Sequence, residues 1–547
     1  MQAVEDFIAW SIAHPQSPVP ADWVPGATLQ ERTRLSACGS LMKTLTHATS
    51  WKTFFSEPDI RNWLEEATLL PEELAKPLRN RTVQQSVTEF AFLYSAAMSG
   101  PSRRPLGTFF TPQPEAEMML DLWDGMADPP TNVVDVGAGV GVFTHASLDR
   151  WKTAAVTAVD INPITLGLLL TALEADPAAA ARVDTALDDY ISWTTNASFK
   201  KLDRVLYLGN PPYTRASLLK PETRARLVEH TNGLTKRRSN LASHMTALTL
   251  LRLRPQDGLC FVVPANWTET DNTAGLRNYL TKLTNRDIAV RFVESSMFDD
   301  AEVDAVVIAV SPEREIGTFY AGWWYERENI TDERPGNDQE WKNLGSKRSG
   351  ELELSPPSGK RLGDYYAISR GVATGANAFF IASSNESPSF GAIPIITKIR
   401  VDEKGRDTPV QRYLHVIRPD SIPGHSELSE LVTEGEKLGV DKRTLCAKRK
   451  NWYDLSAEIK IPDLIMSPMS RTRFRFIYNS SGATLTNNLY GLTAKEGNDT
   501  ETLRKIYAWL NSEEGQAVIA HHARRQANGL LKIEPKALLN LPVTDVL

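Results

Sequence analysis

The stretch that most constrains the fold of this chain runs from Val133 to Gly141 and reads Val-Val-Asp-Val-Gly-Ala-Gly-Val-Gly. Its first four residues predict a short, mostly apolar strand, and the glycines after them predict a tight turn into a helix that starts near Phe143. Because glycine has no Cβ, Gly137, Gly139 and Gly141 let the backbone pass close to a ligand. A strand, a glycine turn and a helix in this order are typical of α/β folds with a parallel sheet.

Carboxylates at three predicted strand ends indicate what kind of ligand could bind at this turn. Asp135 lies just before the glycines, where it would repel a pyrophosphate and attract a cation or an amine. About twenty residues on, a second predicted strand ends in Asp160, which can accept hydrogen bonds from both hydroxyls of a ribose. Asp189 stands at a third junction, where it could accept from an adenine amino group. An adenosine with an amine-bearing tail and no phosphate satisfies all three positions, so S-adenosylmethionine fits and NAD fits poorly.

A fourth predicted strand leads into a stiff polar corner, Asn210-Pro211-Pro212-Tyr213. The two prolines fix φ and remove two backbone donors. The Asn210 side-chain carbonyl and the Pro211 main-chain carbonyl remain as acceptors beside the aromatic ring of Tyr213. Two acceptors can hold the hydrogens of an exocyclic amino group and aim its lone pair at an electrophile, while a planar base lies against the ring. An ordinary Pro-Pro turn is the alternative interpretation of this corner alone.

Before the glycine turn, Thr111-Pro112 predicts a helix start. A threonine hydroxyl and free amide groups at such a place suit a carboxylate. Taken alone the motif is weak, since many helices begin in this way.

Composition sets outer limits on the function. A length of 547 residues predicts two to four domains. The formal net charge of −6 gives no overall nucleic-acid signal, so any such surface must be local. Three widely spaced cysteines predict neither a structural zinc site nor a disulfide framework, and no metal site is expected. The absence of a signal peptide or a long apolar run suits a cytoplasmic protein.

The pattern along the chain predicts four segments. These are a helical N-terminal extension over residues 1–105, a catalytic domain over 106–315, a polar linker over 316–361 and a further domain over 362–547. The segment between Tyr213 and Asn240 is expected to be loop-like.

Basic residues cluster at places where phosphates could be contacted. We expect DNA contacts from two groups, one beside the polar corner and one in the C-terminal domain. The members are Arg215, Lys236, Arg237 and Arg238 in the first group, and Arg370, Lys448, Arg471 and Arg473 in the second. Solvated basic loops and an ordinary charged β-rich domain are the alternatives.

The order of these motifs resembles the gamma-class adenine-N6 DNA methyltransferases of type II restriction–modification systems. It runs from Thr-Phe-Phe-Thr-Pro through the glycine turn, Asp160 and Asp189-Tyr190 to Asn-Pro-Pro-Tyr, over roughly residues 106–310. The resemblance implies a doubly wound class I S-adenosylmethionine-dependent methyltransferase fold, followed by a C-terminal target-recognition domain. Later stretches, Leu259–Trp267 and Met297–Ile308, and the opening of the C-terminal domain also look like this family.

The same resemblance implies the roles of individual residues. Thr111 and Asp135 would hold the methionine end of the cofactor, Asp160 the ribose, and Asp189 with Tyr190 the adenine. Tyr213 and Phe298 would sandwich a flipped target base. The implied catalytic residues are Asn210, Pro211, Pro212 and Tyr213, and the implied cofactor site is Thr111, Asp135, Gly137, Ala138, Gly139, Asp160, Ile161, Asp189 and Tyr190.

The expected activity is therefore methyl transfer to the N6 amino group of adenine in double-stranded DNA. Two alternatives stay open: methylation of RNA bases or protein glutamine by the same corner, and a DNA-binding relative without catalysis. No nuclease cluster of carboxylates and lysine is found in the sequence, so cleavage would come from a separate restriction endonuclease.

Overall fold

The computed structural model divides into two compact units, residues 1–350 and 351–547. It describes residues 2–46, 54, 57–194, 202–293, 305–324, 332–344, 359–382, 391–401, 406–422, 426–526 and 530–543. Each unit has hydrophobic cores of its own.

The described part of the first unit is built on an eight-stranded sheet. In chain order its strands are β1 Asn132–Val136, β2 Ala155–Asp160, β3 Val183–Leu187, β4 Val205–Gly209, β5 Gly258–Pro264, β6 Arg286–Val293, β7 Ala305–Glu313 and β8 Phe319–Trp323. Their order across the sheet is β3-β2-β1-β4-β5-β7-β6-β8. The neighbours from β3 to β5 are parallel, and β7 runs antiparallel to β5 and β6. The predicted mainly parallel α/β fold is confirmed.

Alternation along the central strands places apolar side chains on both faces of the sheet. In β4, Leu206 and Leu208 pack into one core, while Val205 and Tyr207 pack into the other. Helices and short 3₁₀ turns connect the strands. The α-helices that follow β1 and precede β8 are Val142–Arg150, Pro163–Leu173, Pro177–Ala180, Tyr190–Trp193, Pro221–His230, Leu241–Arg252 and Ala274–Lys282. The 3₁₀ turns of this unit are Ala216–Leu218, Ala265–Thr268 and Asp271–Thr273.

The N-terminal extension is helical, as the sequence predicts, and it completes the core on one face of the sheet. All eleven residues of helix Pro163–Leu173 are buried. Met42 of the extension lies where a Cβ on Gly167 would stand, and Thr46 hydrogen-bonds Thr171 over 3.1 Å. The extension thus covers a helix that would otherwise expose leucines to water. Its helices are Gln2–Ala13, Leu29–Leu45, Pro58–Glu66, Glu72–Arg79, Val83–Ala97 and Gly100–Arg103, and helix Gln113–Asp124 follows before β1.

The second unit combines small, mostly antiparallel sheets with helices, and β11 and β16 are a parallel pair. Its strands are β9 Tyr366–Arg370, β10 Ile381–Ala382, β11 Ala392–Val401, β12 Asp407–His415, β13 Leu464–Met466, β14 Met469–Ser470, β15 Phe476–Tyr478, β16 Thr484–Leu485, β17 Tyr490–Ala494, β18 Arg524–Gln526 and β19 Leu530–Lys532. The helices are Leu362–Tyr365, Asn377–Phe380, Ser426–Lys437, Thr500–Leu510, Glu513–His522 and Pro535–Leu539, and Cys446–Lys448 and Ser456–Glu458 are 3₁₀ turns. β9, at the opening of this unit, pairs antiparallel with β17.

The structure differs from the sequence-based segments at two places. The segment expected to be loop-like contains the ten-residue helix Pro221–His230. Within the expected linker over 316–361, β8 belongs to the sheet, and the helix Asp338–Asn343 carries Trp341 into the core of the first unit. Trp341 packs against Trp267 and Phe319 there. The polar composition of this segment predicted a linker, but the large apolar side chain of Trp341 is part of the core.

In the portion of the chain that the structure describes, no helix is long and apolar enough to cross a membrane. Nor does that portion contain a group of three or more His, Cys, Asp or Glu side chains arranged to hold a metal ion.

Candidate active site

A cavity of about 330 Å³ lies at the carboxyl ends of β1, β2 and β4. The order of strands reverses between β1 and β4, and ligands of open α/β sheets bind at such a point. Ten residues predicted for the site line this cavity: Thr111, Gly137, Ala138, Gly139, Asp160, Ile161, Asp189, Tyr190, Asn210 and Pro212. Asp135, Pro211 and Tyr213 stand behind this lining, and Phe298 lies outside the described residues.

The charges of the cavity wall have one sign. Asp160, Asp188 and Asp189 line it, and none of the described lining residues is a lysine, an arginine or a histidine. Phe110, Phe143 and Met245 contribute apolar surface. An acidic and apolar wall suits a nucleoside with a cationic tail and disfavours a phosphate.

The glycine turn after β1 adopts the backbone that its sequence demands. Gly137, Gly139 and Gly141 have φ of 74°, 56° and 91°, a region that other residues rarely adopt. A Cβ on Gly139 would stand 3.1 Å from the Phe110 ring, and one on Gly141 would overlap Leu169. The turn is therefore packed between the strip that carries Phe110, residues 106–112, and the helix Pro163–Leu173, which carries Leu169.

Asp160 ends β2 and binds the backbone on both of its sides. Its Oδ2 accepts from the N–H of Gly139 at 2.7 Å, and its Oδ1 accepts from the N–H of Asn162 at 2.8 Å. Burial raises the pKa of this carboxyl, and the backbone N–H groups of Asn162, Gly139 and Ile161 act against that rise. Each carboxylate oxygen has further lone pairs, so Asp160 keeps acceptor capacity toward the cavity.

Asp189 and Tyr190 begin the short helix after β3. Asp189 Oδ1 accepts from the N–H of Ile191 at 3.2 Å, and burial raises the pKa of its carboxyl. Tyr190 is buried, and its hydroxyl hydrogen-bonds Thr249 over 2.8 Å. Tyr190 therefore contributes to the cavity wall from the core, with its hydroxyl already engaged.

Asp135 lies behind the cavity, within the sheet. Its side chain is 0% exposed, and its Oδ2 accepts from the Thr144 hydroxyl at 2.7 Å. Its Oδ1 has no hydrogen-bond partner among the described residues. Burial raises the pKa of Asp135 to about 7, although the Thr144 hydrogen bonds lower it.

The Asn210 side chain is held in one orientation. Its Nδ2 donates to the main-chain oxygen of Phe109 and to Oγ1 of Thr111, both at 3.2 Å. A main-chain oxygen can only accept, so the amide nitrogen must face Phe109. The Oδ1 atom points elsewhere, and it is buried without a hydrogen-bond partner among the described residues.

Close packing holds the corner after β4. Gly209 has a φ of 150°, and a Cβ there would stand 2.6 Å from the main-chain oxygen of Val136. Pro211 is buried, and Pro212 packs on Gly107, where a Cβ would stand 2.7 Å from the proline ring. The half-buried Tyr213 packs against a core, and its hydroxyl has no hydrogen-bond partner in the described part of the chain. Burial raises the pKa of Tyr213.

Comparison with known proteins identifies the class of this site. The family model described as "Eco57I restriction-modification methylase" matches residues 180–298, and "Type II methyltransferase M.Eco57I, C-terminal domain" matches residues 405–547. Type II methyltransferase M.XamI of Xanthomonas campestris pv. amaranthicola is 23% identical over 462 residues, covering 80% of this chain and 85% of the relative. Type II methyltransferase M.AccI of Acinetobacter calcoaceticus is 24% identical over 491 residues, covering 81% and 86%. The chain is thus similar to type II methyltransferases over about four fifths of its length.

The fold resembles that of a restriction–modification enzyme of known structure. The structure of the type IIL restriction-modification enzyme MmeI in complex with DNA has a TM-score of 0.56 at 12% identity, and it covers 99% of this chain and 87% of that chain. At this identity the likeness shows the fold. The expected DNA methyltransferase of a restriction–modification system is confirmed at the level of this class.

Several lining residues of this methyltransferase were missed as site residues from the sequence, and Phe110 and Asn162 are two of them. Phe110 lines the cavity and packs on the glycine turn, and Asn162 lines it beside Asp160. Both lie one position from a residue assigned to the site, in Thr-Phe-Phe-Thr-Pro and after Asp160-Ile161. Only their position within a motif could have identified them as site residues, because neither side chain carries a charge or a nucleophile.

The basic residues beyond the corner are exposed. Arg215, Lys236, Arg237 and Arg238 all reach solvent, and the backbone N–H of Lys236 bonds the main-chain oxygen of Asn272 at 2.9 Å. They are free of the salt bridges found among the described residues. This placement leaves them available for a polyanion.

The predicted DNA contacts of the second unit differ among themselves. Lys448 and Arg471 are exposed. Arg473 is paired with Asp407 at 2.8 Å, and Arg475 reaches the same carboxylate at 2.7 Å. Arg370 lies over the Tyr490 ring and 3.5 Å from Glu534. Arg370 and Arg473 therefore have partners within the unit, although both side chains stay exposed, where such pairs are weak.

Proposed function

We propose that this chain transfers a methyl group from S-adenosylmethionine to the N6 amino group of an adenine extruded from duplex DNA. The observation that carries the proposal is the anchored Asn210 side chain, whose nitrogen faces Phe109 and Thr111 while its oxygen has no partner among the described residues. A buried acceptor without a donor is costly, so it favours a ligand that brings one. An amino group supplies such a donor.

The corner offers two acceptors to the two hydrogens of that amino group. Asn210 Oδ1 would take one hydrogen and the main-chain oxygen of Pro211 the other. In free adenine the nitrogen lone pair is delocalised into the ring. Hydrogen bonds that hold both hydrogens out of the plane of the ring draw the nitrogen toward a tetrahedral geometry. Its lone pair then points at the incoming methyl carbon. The nitrogen gains positive charge as the bond forms, so both hydrogen bonds strengthen in the transition state.

The cofactor suits the residues that line the cavity. Its sulfonium supplies an electrophilic methyl group on a good leaving group when it is bound. Asp160 would accept from the ribose hydroxyls, and Asp189 from the adenine amino group, while Thr111 and Asp135 would serve the methionine end. The acidic lining supports a ligand with a cationic centre and without phosphates.

Extrusion of the base follows from the buried position of the corner. The N6 group of a stacked adenine is out of reach of a bulky cofactor inside a duplex. The Tyr213 ring would stack on the extruded base, and Phe298 is proposed for its other face. Stacking of this kind contributes roughly 1–3 kcal/mol per base.

DNA would be held by the exposed basic residues. Arg215 and Lys236 to Arg238 follow the corner in sequence and are proposed to contact phosphates near the target base. The second unit, with Lys448 and Arg471 exposed, is proposed to choose the recognition sequence. The relatives are type II methyltransferases, and a separate cognate restriction endonuclease is proposed as a partner.

One labelling experiment separates this proposal from RNA and protein substrates. The purified chain is incubated with S-adenosylmethionine carrying a labelled methyl group and with DNA, RNA or a protein extract, and Asn210→Ala serves as the matched control. We expect label in DNA alone, and the Asn210→Ala protein should leave it unlabelled. Label in RNA or protein would contradict the substrate, and equal labelling by both proteins would contradict the corner.

A further inference from the structure

Tyr94 belongs to the N-terminal extension, on helix Val83–Ala97, yet its side chain contacts two walls of the cofactor cavity. Its ring meets Phe110 edge to face, with centroids 5.7 Å apart and planes at 87°. Its hydroxyl accepts from Nδ2 of Asn162 at 2.8 Å. Tyr94 itself is fully buried. One side chain thus joins the strip before the sheet to the turn after β2.

Both walls carry groups on which the site depends. In the strip, the oxygens of Phe109 and Thr111 anchor the Asn210 amide, and the Phe110 ring packs on Gly139. In the turn, the N–H of Asn162 donates to Asp160. A shift of either wall would therefore move the acceptor for the target amine or the acceptor for the ribose.

We propose that Tyr94 is a positioning residue that fixes the spacing between the strip and the Asp160–Asn162 turn. A phenylalanine would fill the same core volume, so packing of the helix does not explain the hydroxyl. A buried hydroxyl is tolerated when it is hydrogen-bonded, and here its partner, Asn162, lines the cavity. The N-terminal extension then sets cofactor affinity and the orientation of Asn210, which goes beyond covering the core. The inference rests on the proposed function, because it names the site whose geometry Tyr94 sets.

The test compares variants on one helix. Tyr94→Phe keeps the ring and removes the hydroxyl, and Tyr94→Leu removes both contacts. Phe90→Leu is the matched control, because Phe90 lies one turn earlier and is also buried. For each full-length protein we would measure the thermal midpoint, the Kd for S-adenosylmethionine by calorimetry, and the single-turnover methylation rate of DNA at saturating cofactor.

The two positions should differ in cofactor binding rather than in stability. We expect Tyr94→Phe to raise the Kd about threefold, and Tyr94→Leu to raise it about tenfold or more with a comparable loss of rate. Phe90→Leu should lower the thermal midpoint as Tyr94→Leu does and keep the Kd within about twofold of wild type.

The inference is overturned if Tyr94→Leu keeps the wild-type Kd and rate and loses only as much stability as Phe90→Leu. Tyr94 would then act only as a core residue. If Tyr94→Leu does not fold, Tyr94→Phe decides: unchanged Kd and rate overturn the inference, and a raised Kd at an unchanged thermal midpoint supports it. A wild-type protein that fails to bind S-adenosylmethionine would instead contradict the proposed function, so the two failures are distinct.

Discussion

The side-chain nitrogen of Asn210 donates to the hydroxyl of Thr111 over 3.2 Å, although 99 residues separate them in the sequence. Together with the hydrogen bond to Phe109, this contact turns the Asn210 oxygen away from the strip and leaves it without a partner in the described chain. The strip before the sheet and the corner after β4 therefore form one structural element. Its function is to hold an acceptor in a fixed direction.

Tyr213 is predicted to act through its ring. Tyr213→Phe should retain the methylation rate within a few-fold, and its stability should be equal to or above that of wild type, because the buried hydroxyl has no described partner to lose. Tyr213→Ala should lower the rate by about tenfold or more, since it removes the stacking surface. Single-turnover kinetics and thermal unfolding measure both effects. Equal damage in the two variants would show that the hydroxyl matters and that the stacking argument fails.

Asp160 is predicted to dominate cofactor affinity. Asp160→Ala should raise the Kd for S-adenosylmethionine at least about tenfold, because charge-assisted bonds to the ribose hydroxyls are lost. The variant also loses its bonds to Gly139 and Asn162, so thermal unfolding must be followed in parallel. Asp184→Ala, an exposed carboxylate on β3, is the matched control and should bind normally. Wild-type affinity in Asp160→Ala by calorimetry would remove Asp160 from the site.

Asp135 gives the protein a predicted pH dependence of stability. Its pKa is raised to about 7 in the folded state, against about 4 in the unfolded chain. Between about pH 4 and about pH 7 the folded state therefore binds a proton at Asp135 that the unfolded chain has released. This group therefore favours folding at low pH, and the free energy of unfolding falls as pH rises from about 4 to about 7. Asp135→Asn stays neutral at every pH and can still accept from Thr144. Urea unfolding should show wild type losing stability relative to Asp135→Asn over that range, and parallel curves would contradict a buried, titrating Asp135.

A fragment of residues 1–350 is predicted to fold and bind S-adenosylmethionine, because it is a compact unit that contains the whole cavity lining. It should bind DNA weakly and lose its preference for the recognition sequence. Competition gel shifts against specific and unrelated duplexes measure this preference. Full site preference in the fragment would show that sequence choice does not reside in residues 351–547.

Local sequence patterns predicted the central part of the fold well. The strand, glycine turn and helix around Gly137 could be predicted from the sequence because an apolar run followed by closely spaced glycines is compatible with few other conformations. The ends of β2 and β4, at Asp160 and Gly209, were predicted to within one residue for the same reason. The Pro221–His230 helix was missed because its charged composition resembles a loop, although Pro221 at its start and Glu222 in its first turn are typical helix signals.

Other features depend on partners that are distant in sequence. Asp407 and Arg473 are 66 residues apart, so the pairing that restrains this predicted DNA contact has no local pattern. Trp341 lies in a polar stretch, and only the tertiary structure shows that it fills the core beside Trp267. Tyr94 lies in the predicted helical extension, and its contacts with Phe110 and Asn162 appear only when the extension is packed on the sheet.

The most direct test of the account is the chemical nature of the methylated base in cells. Genomic DNA from cells that express the wild-type chain or Asn210→Ala would be digested to nucleosides and also sequenced for base modification. We predict N6-methyladenine at a single sequence motif with the wild-type chain, and its near-complete loss with Asn210→Ala while cofactor affinity stays close to wild type. Methyl groups on cytosine, or N6-methyladenine at an unchanged level in Asn210→Ala, would contradict the assignment of Asn210 as the acceptor that prepares an adenine amino group for methyl transfer.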